Sequence, residues 1–123
     1  MLGTSKVIAF VPTTNYESSR SFYEGVLGLR FVKNDGFAMV LDANGIMIRV
    51  VKAPDFKPLP YTILGWEVSD IESAVAALAQ RGAHFEHYFP QQDALGIWTA
   101  PSGDRVAWFK DPDGNTLSVS QHV

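Results

Sequence analysis

The chain has 123 residues, which bounds it to one domain or to two small half-domains sharing one core. Ten basic and thirteen acidic residues give a net charge of −3 with no Lys/Arg cluster, which argues against a broad nucleic-acid footprint, and the lack of cysteine excludes disulfides and thiol nucleophiles. A hydrophobic content of 46% with 19% charged residues suits a globular protein; with no signal-peptide pattern and no apolar run of spanning length, the expectation is a cytoplasmic chain with no membrane partner.

Residues 6–12 are short, apolar and β-branched, and predict a strand that Pro12 helps to end. Thr14 and Glu17 have the spacing of a capping box, in which the hydroxyl accepts from an amide three residues on and the carboxylate reaches back. Tyr16, Phe22, Tyr23 and Val26 follow at roughly helical spacing, and Gly25 and Gly28 suit the helix end. Strands are expected near 29–34, 36–42 and 46–52, with Asn34-Asp35-Gly36 and Ala43-Asn44-Gly45 as turns between them. Residues 53–60 are proline-rich and read as a connector.

The order then repeats. Tyr61–Val68 predicts a strand, Ser69-Asp70-Ile71-Glu72 a second capping box, and Ile71, Ala74, Val75 and Leu78 a helix face that Gly82 stops. A strand over 83–88, a loop over 89–95, strands near 96–100 and 105–110 with Pro101-Ser102-Gly103-Asp104 between them, and a last strand at 115–121 complete the chain. The Thr14-Asn15-Tyr16-Glu17-Ser18 segment returns 55 residues later as Ser69-Asp70-Ile71-Glu72-Ser73. Asp42-Ala43-Asn44-Gly45 returns 69 residues later as Asp111-Pro112-Asp113-Gly114. Two recurrences in the same order, each at the same place relative to strands, indicate a duplicated module. The expected class is α+β: one domain over 1–123, with module one at 6–52 and module two at 61–121, each sheet covered by its own helix.

The βαβββ order read twice, with Phe22-Tyr23-Glu24-Gly25-Val26-Leu27-Gly28-Leu29 after the first cap and Asp111-Pro112-Asp113-Gly114-Asn115 before the last strand, resembles the vicinal oxygen chelate superfamily. This is the glyoxalase, bleomycin-resistance and extradiol-dioxygenase group, and the resemblance covers essentially the whole chain. It implies a cupped mixed sheet around one cavity, often across a homodimer interface, and a homodimer is expected. Metal-dependent relatives hold a divalent ion with His, Glu or Gln on inward positions of the first and fourth strands of each module. Carried onto this sequence, those positions fall on Ile8, Arg49, Ile63 and Ser118, none of which is a normal divalent-ion ligand. Hence no metal site and no cofactor is expected; a divalent metal with atypical ligands is the alternative.

Strand alternation from that quartet places Phe10 with Ile8, Met47 with Arg49, Tyr61, Gly65 and Glu67 with Ile63, and Thr116 and Ser120 with Ser118. The opposite phase, with Val7, Ala9, Val11, Ile48, Val50, Leu64, Trp66, Leu117 and Val119, is almost uniformly apolar, as a helix-packed face requires. Arg49 is the leading ligand-binding candidate, suited to a carboxylate, phosphate or polarised carbonyl; the bland readings are a salt bridge to Glu67 and an outward-facing register in which it is merely solvated. Glu67 is the one catalytic candidate, as a general base beside a cation, with a structural pairing the commoner role. Trp98 and Trp108 lie on strands whose phase is open, so cavity lining and plain packing both remain.

His84-Phe85-Glu86-His87 has the look of metal spacing, but residues three apart on a strand face opposite sides. His122 is expected in a frayed tail, and no Ser-His-Asp order supports covalent catalysis. The readings are then a metal-independent cup for a small, partly apolar, anionic or carbonyl-bearing molecule; a metal-dependent lyase, isomerase or dioxygenase with unusual ligands; or a non-catalytic dimerisation module with an occluded cup.

Overall fold

The computed structural model describes residues 1–123. The chain forms two compact units, Met1–Lys57 and Pro58–Val123. In the first, β1 (Ile8–Thr13), α1 (Tyr16–Arg20), β2 (Arg30–Asn34), β3 (Met39–Ala43) and β4 (Ile46–Lys52) build one sheet in the order β1-β4-β3-β2. In the second, β5 (Thr62–Glu67), α2 (Ile71–Gln80), β6 (Trp98–Thr99), β7 (Arg105–Lys110) and β8 (Thr116–Gln121) take the matching order β5-β8-β7-β6. In each unit the first strand runs parallel to the last, and the remaining pairs are antiparallel. Each unit is therefore βαβββ, as the repeat predicted.

Both helices are capped one residue later than expected. Asn15 Oδ1 accepts from the Ser18 amide at 3.0 Å, and Asp70 Oδ1 accepts from the Ser73 amide at 3.2 Å. Thr14 and Ser69 precede these caps instead of forming them. Asn and Asp cap at least as well as Thr and Ser, and the serine three residues on takes the place assigned to glutamate. The 55-residue offset survives the correction. Thr13, fully buried, bonds the buried Ser19 hydroxyl at 2.6 Å, which ties β1 to α1. After Arg20 the first helix widens into a π turn over Ser21–Val26, whose Phe22 and Tyr23 are buried.

One face of each sheet is apolar core. In unit one Val11, Met39, Leu41, Ile48 and Val50 are buried, and in unit two Ala107, Phe109, Leu117 and Val119 join Ile71 and Val75 from α2. Trp66 belongs to this second core, stacked on Phe109 at 6.5 Å between ring centres.

Four boundaries differ from expectation. Pro12 lies inside β1 rather than ending it; β1 is an edge of its sheet, where one side donates no ladder bonds. β3 starts at Met39 rather than 36 because Asp35 Oδ1 accepts from the Phe37 and Ala38 amides and holds a turn there. The strand expected near 96–100 shrinks to Trp98–Thr99. The strand expected over 83–88 is a single bridge, Phe85 to Phe109. Side chains take the ladder's place: Gln92 Nε2 donates to the Glu86 and Gly96 carbonyls, its Oε1 accepts from the Tyr88 and Phe89 amides, and Asp93 accepts from the Leu95 and Ile97 amides.

Candidate functional site

Register decides which side chains share the face opposite each core. In unit one Ile8 pairs with Met47 and Phe10 with Arg49 across β1–β4, while Val40 and Asp42 face Arg49 and Met47 across β3–β4. Ile8, Phe10, Met47 and Arg49 therefore stand on one face, as the alternation predicted, with Ile8 47%, Phe10 63% and Met47 39% exposed. Ile8 and Met47 border a hollow of about 300 Å³ that also includes Lys6, Arg30, Val32 and Asp42. Arg30 and Asp42 stand 3.9 Å apart there, a loose pair.

Arg49 is held by a carboxylate, but not the expected one. Its guanidinium lies 3.0 Å from Asp35 Oδ2, with both side chains about a quarter exposed. The Asp35 carboxyl sits below its usual range because the Phe37 and Ala38 amides donate to it, with Arg49 adding to the effect. In the sequence Arg49 read first as a ligand-binding cation, with a salt bridge to Glu67 as a bland alternative; the turn preceding β3 supplies Asp35 as its partner. The pair neutralises Arg49 and leaves this face mostly apolar.

In unit two β8 organises the face. Ser118 pairs with Gly65 on β5 and with Trp108 on β7, and Ser120 pairs with Glu67 and with Val106. Trp98 pairs with Val106 across β6–β7, so both tryptophans whose phase was open share this face with Glu67, Ser118 and Ser120. Ile63 is the exception among the candidates. Thr62 pairs with Thr116 but Leu64 with Leu117, so the register slips at Ile63 and the strict alternation carried from Tyr61 to Glu67 does not hold there. Gly65 approaches Ser118 closely; a Cβ on Gly65 would lie 2.6 Å from Ser118 Oγ and 3.3 Å from its carbonyl oxygen, so a larger residue there requires Ser118 to shift.

A cavity of about 540 Å³ opens on this unit. Tyr88, Phe89 and Trp108 form its aromatic wall, Thr62, Thr116 and Lys110 its polar part, and Pro58, Leu59, Pro60 and Tyr61 of the connector its rim. Tyr88, Phe89, Trp98 and Trp108 make one cluster, with ring centres 5.8–6.4 Å apart in tilted and edge-to-face contacts. Gly114, in left-handed backbone at φ 87°, lets the connector seat; a Cβ there would stand 3.1 Å from Pro58 Cγ. Lys110 is the cation of the lining and has no carboxylate partner.

Tyr88, Phe89 and Lys110 were missed in the sequence. Part of the signal for Lys110 was present: two residues from Trp108 on the same strand, it must share whichever face Trp108 takes. Tyr88 and Phe89 were hidden because their placement depends on side-chain bonds from Gln92.

The family's metal positions do not fit a divalent ion. Ile8, Ile63 and Ser118 offer no strong donor and Arg49 is a cation; no group of three or more His, Asp or Glu gathers anywhere in the chain. His84 and His87 flank the Phe85 bridge without a third ligand.

The C-terminus is better tied than expected. The 105–121 register puts Asp104 opposite His122, so Ser120 Oγ meets His122 Nε2 at 2.9 Å and His122 Nδ1 meets Asp104 Oδ2 at 3.2 Å. Asp104 Oδ1 also accepts from the Val123 amide at 3.0 Å, and that bond, with His122, lowers its carboxyl below the usual range. The bonding order is Ser-His-Asp, unlike anything the linear order suggested. Ser120 nevertheless sits inside β8 between β5 and β7, where backbone amides are committed to ladders and Glu67 is its neighbour. Its bond to His122 and those of Asp104 tie His122 and Val123 to the β7–β8 end of the sheet.

Residues 7–119 match the profile of the Glyoxalase/Bleomycin resistance protein/Dioxygenase superfamily, and the chain belongs to that family. Among solved structures it is similar to a member of this superfamily from Sphaerobacter thermophilus, with 22% identity, a TM-score of 0.78, and coverage of 99% of this chain and 100% of that one. A glyoxalase/bleomycin resistance protein/dioxygenase from Alicyclobacillus acidocaldarius shares 16% identity at a TM-score of 0.75, covering 97% and 92% of the two chains. A glyoxalase family protein from Enterococcus faecalis shares 19% at 0.73, covering 98% and 99%. These likenesses establish the fold. No curated protein matches the sequence. No helix is long and apolar enough to cross a membrane.

Proposed function

We propose that this protein binds a small, partly apolar molecule bearing an anionic or carbonyl group, without using the family's metal positions. The observation that carries the reading is the open aromatic cavity of unit two, whose volume of about 540 Å³ lies in the range of small-molecule sites. Few polar groups converge on it (Thr62, Thr116 and Lys110), which suits orientation of a bound ligand. The opening argues against an occluded cup. The donor chemistry at Ile8, Arg49, Ile63 and Ser118 argues against a metal-dependent lyase, isomerase or dioxygenase.

The first experiment is elemental mass spectrometry on tag-free protein desalted after incubation with Zn, Mn, Fe(II), Ni and Mg. The expected result is no stoichiometric metal. About one ion per chain would overturn the reading and redirect attention to His84 and His87. A homodimer is part of the proposal, supported by exposed apolar side chains away from the open face of unit one, such as Phe37 at 83%. Sizing with light scattering at micromolar concentration tests it, and a monomer refutes it.

A further inference from the structure

We infer that the ligand of unit two is a planar aromatic acid, with its ring against Trp108, Tyr88 and Phe89 and its anionic group at Lys110. This rests on the ligand-binding reading above and narrows it to a chemical class.

Three independent features converge. The first is the wall. Tyr88 meets Trp108 at 62° and Phe89 meets Trp108 at 70°, so these rings pack edge to face. Edge-to-face packing leaves ring faces uncovered, and Tyr88 and Phe89 are 49% and 47% exposed. An unfilled aromatic face is best covered by another flat π system.

The second is charge. The lining contains one cation, Lys110, and no carboxylate. A cationic ligand meets repulsion there, and a neutral one leaves the ammonium with water alone. On the open face of unit one Arg49 is already neutralised by Asp35, and the hollow there, with Lys6 and Arg30, also holds the carboxylate of Asp42 and no aromatic wall. The anion-binding role that the sequence suggested for Arg49 therefore moves to Lys110.

The third is spacing. Trp108 and Lys110 are two residues apart on β7 and share a face, facing Ser118 and Thr116 on β8. Two residues of strand span roughly 7 Å. From there the flexible Lys110 stem can bring its ammonium to an acidic substituent carried by a flat ring lying on Trp108, or by a ring fused to it. Thr116, the cross-strand partner of Lys110, places a hydroxyl beside the same position. Carboxylate, sulfonate and phosphate share the required chemistry; the structure selects the anionic flat ring and not one of these groups.

The test is isothermal titration calorimetry of the full chain at low ionic strength, where an exposed charge contact is least screened. The probes are 2-naphthoate, its neutral isostere 2-naphthamide, and the non-planar anion cyclohexanecarboxylate. The expected order is 2-naphthoate tightest, with each of the others weaker by about fivefold or more. Lys110→Gln should cost 2-naphthoate about the same factor and leave 2-naphthamide unchanged. Trp108→Leu should weaken both aromatic probes, and Arg49→Gln neither. Circular dichroism and the thermal midpoint of each variant separate lost binding from lost folding. If 2-naphthamide binds as tightly as 2-naphthoate and both depend on Trp108, the cavity binds ligands but the acid class is wrong. If no probe binds the folded wild type at millimolar concentration, the inference and the ligand-binding reading both fail.

Discussion

Units one and two share a topology strand for strand, yet their open faces carry different chemistry. Unit one presents aliphatic and aromatic side chains around an arginine that is already paired with Asp35. Unit two presents four clustered aromatic rings and a lysine with no carboxylate partner. The core-facing phase, by contrast, is apolar in both. The duplication has kept what folding requires, the caps, turns and buried phase, and has left the opposite faces free to diverge. Where the units differ is therefore where a ligand is to be sought.

Four measurements break or sharpen this comparison. The largest effect is expected between the two faces themselves. Phe109→Ala removes a fully buried ring in contact with Trp66 and Phe85, and should cost about 3–5 kcal/mol in urea denaturation. Phe10→Ala, on the open face of unit one, should cost less than about 1 kcal/mol. A cost for Phe10→Ala approaching that of Phe109→Ala would mean the face is covered in solution.

The next contrast is between the two repeated turns. Asp111 is buried and its carboxylate accepts from the Asp113 and Asn115 amides and from Asn115 Nδ2, all at 2.8–2.9 Å. Its repeat mate Asp42 accepts from the Gly45 amide at 3.4 Å. Asp111→Ala should lose about 2–3 kcal/mol of stability in the same assay, and Asp42→Ala under about 0.5 kcal/mol. The reason is that β3–β4 turns on Asn44 and Gly45, both with positive φ, and does not need the side chain of Asp42.

Charge gives a third contrast. Asp35→Ala should release Arg49 and create an anion site on unit one, raising the stoichiometry of 2-naphthoate in calorimetry toward two per chain. An unchanged stoichiometry would show that Arg49 finds another partner or that its surroundings suit no anion.

The smallest effect is with pH. Asp35 and Asp104 both have carboxyl pKa values lowered from the usual 3.8, chiefly by backbone amides. A lowered folded value stabilises the charged form, so this contribution is complete above 3.8 and is lost as pH falls through the folded value. Between pH 5 and 8 these two groups should contribute no pH dependence. In nuclear magnetic resonance the Phe37 and Val123 amide shifts should titrate with midpoints below 3.8, and Asp104→Asn should abolish only the second.

The fold was legible because its evidence is local. Strand phase at Ile8, Phe10, Met47 and Arg49, the 55-residue spacing of the helix starts and the Asx-Gly turns follow from alternation and capping chemistry. The site was only half legible. Trp98 and Trp108 could be named, but their phase needed the β7–β8 register. Arg49 read as a ligand-binding cation or a partner of Glu67, and not as the partner of Asp35, because Asp35 lies in a turn whose geometry no periodicity reports. Ile63 fell at a bulge, which period-two reasoning passes over. His122, taken for a frayed end, is fixed by a partner 18 residues away across a hairpin.

The Gln92 side chain has a wider consequence. Tyr88 and Phe89 stand on a segment shaped by one amide that bonds four backbone groups, instead of on a strand shared with the sheet. The Tyr88–Phe89 part of the aromatic wall is thus separable from the sheet that carries Trp108. Its length and sequence can change while β5, β7 and β8 keep their pairing, so a cavity of new shape needs a change in a single loop and none in the sheet.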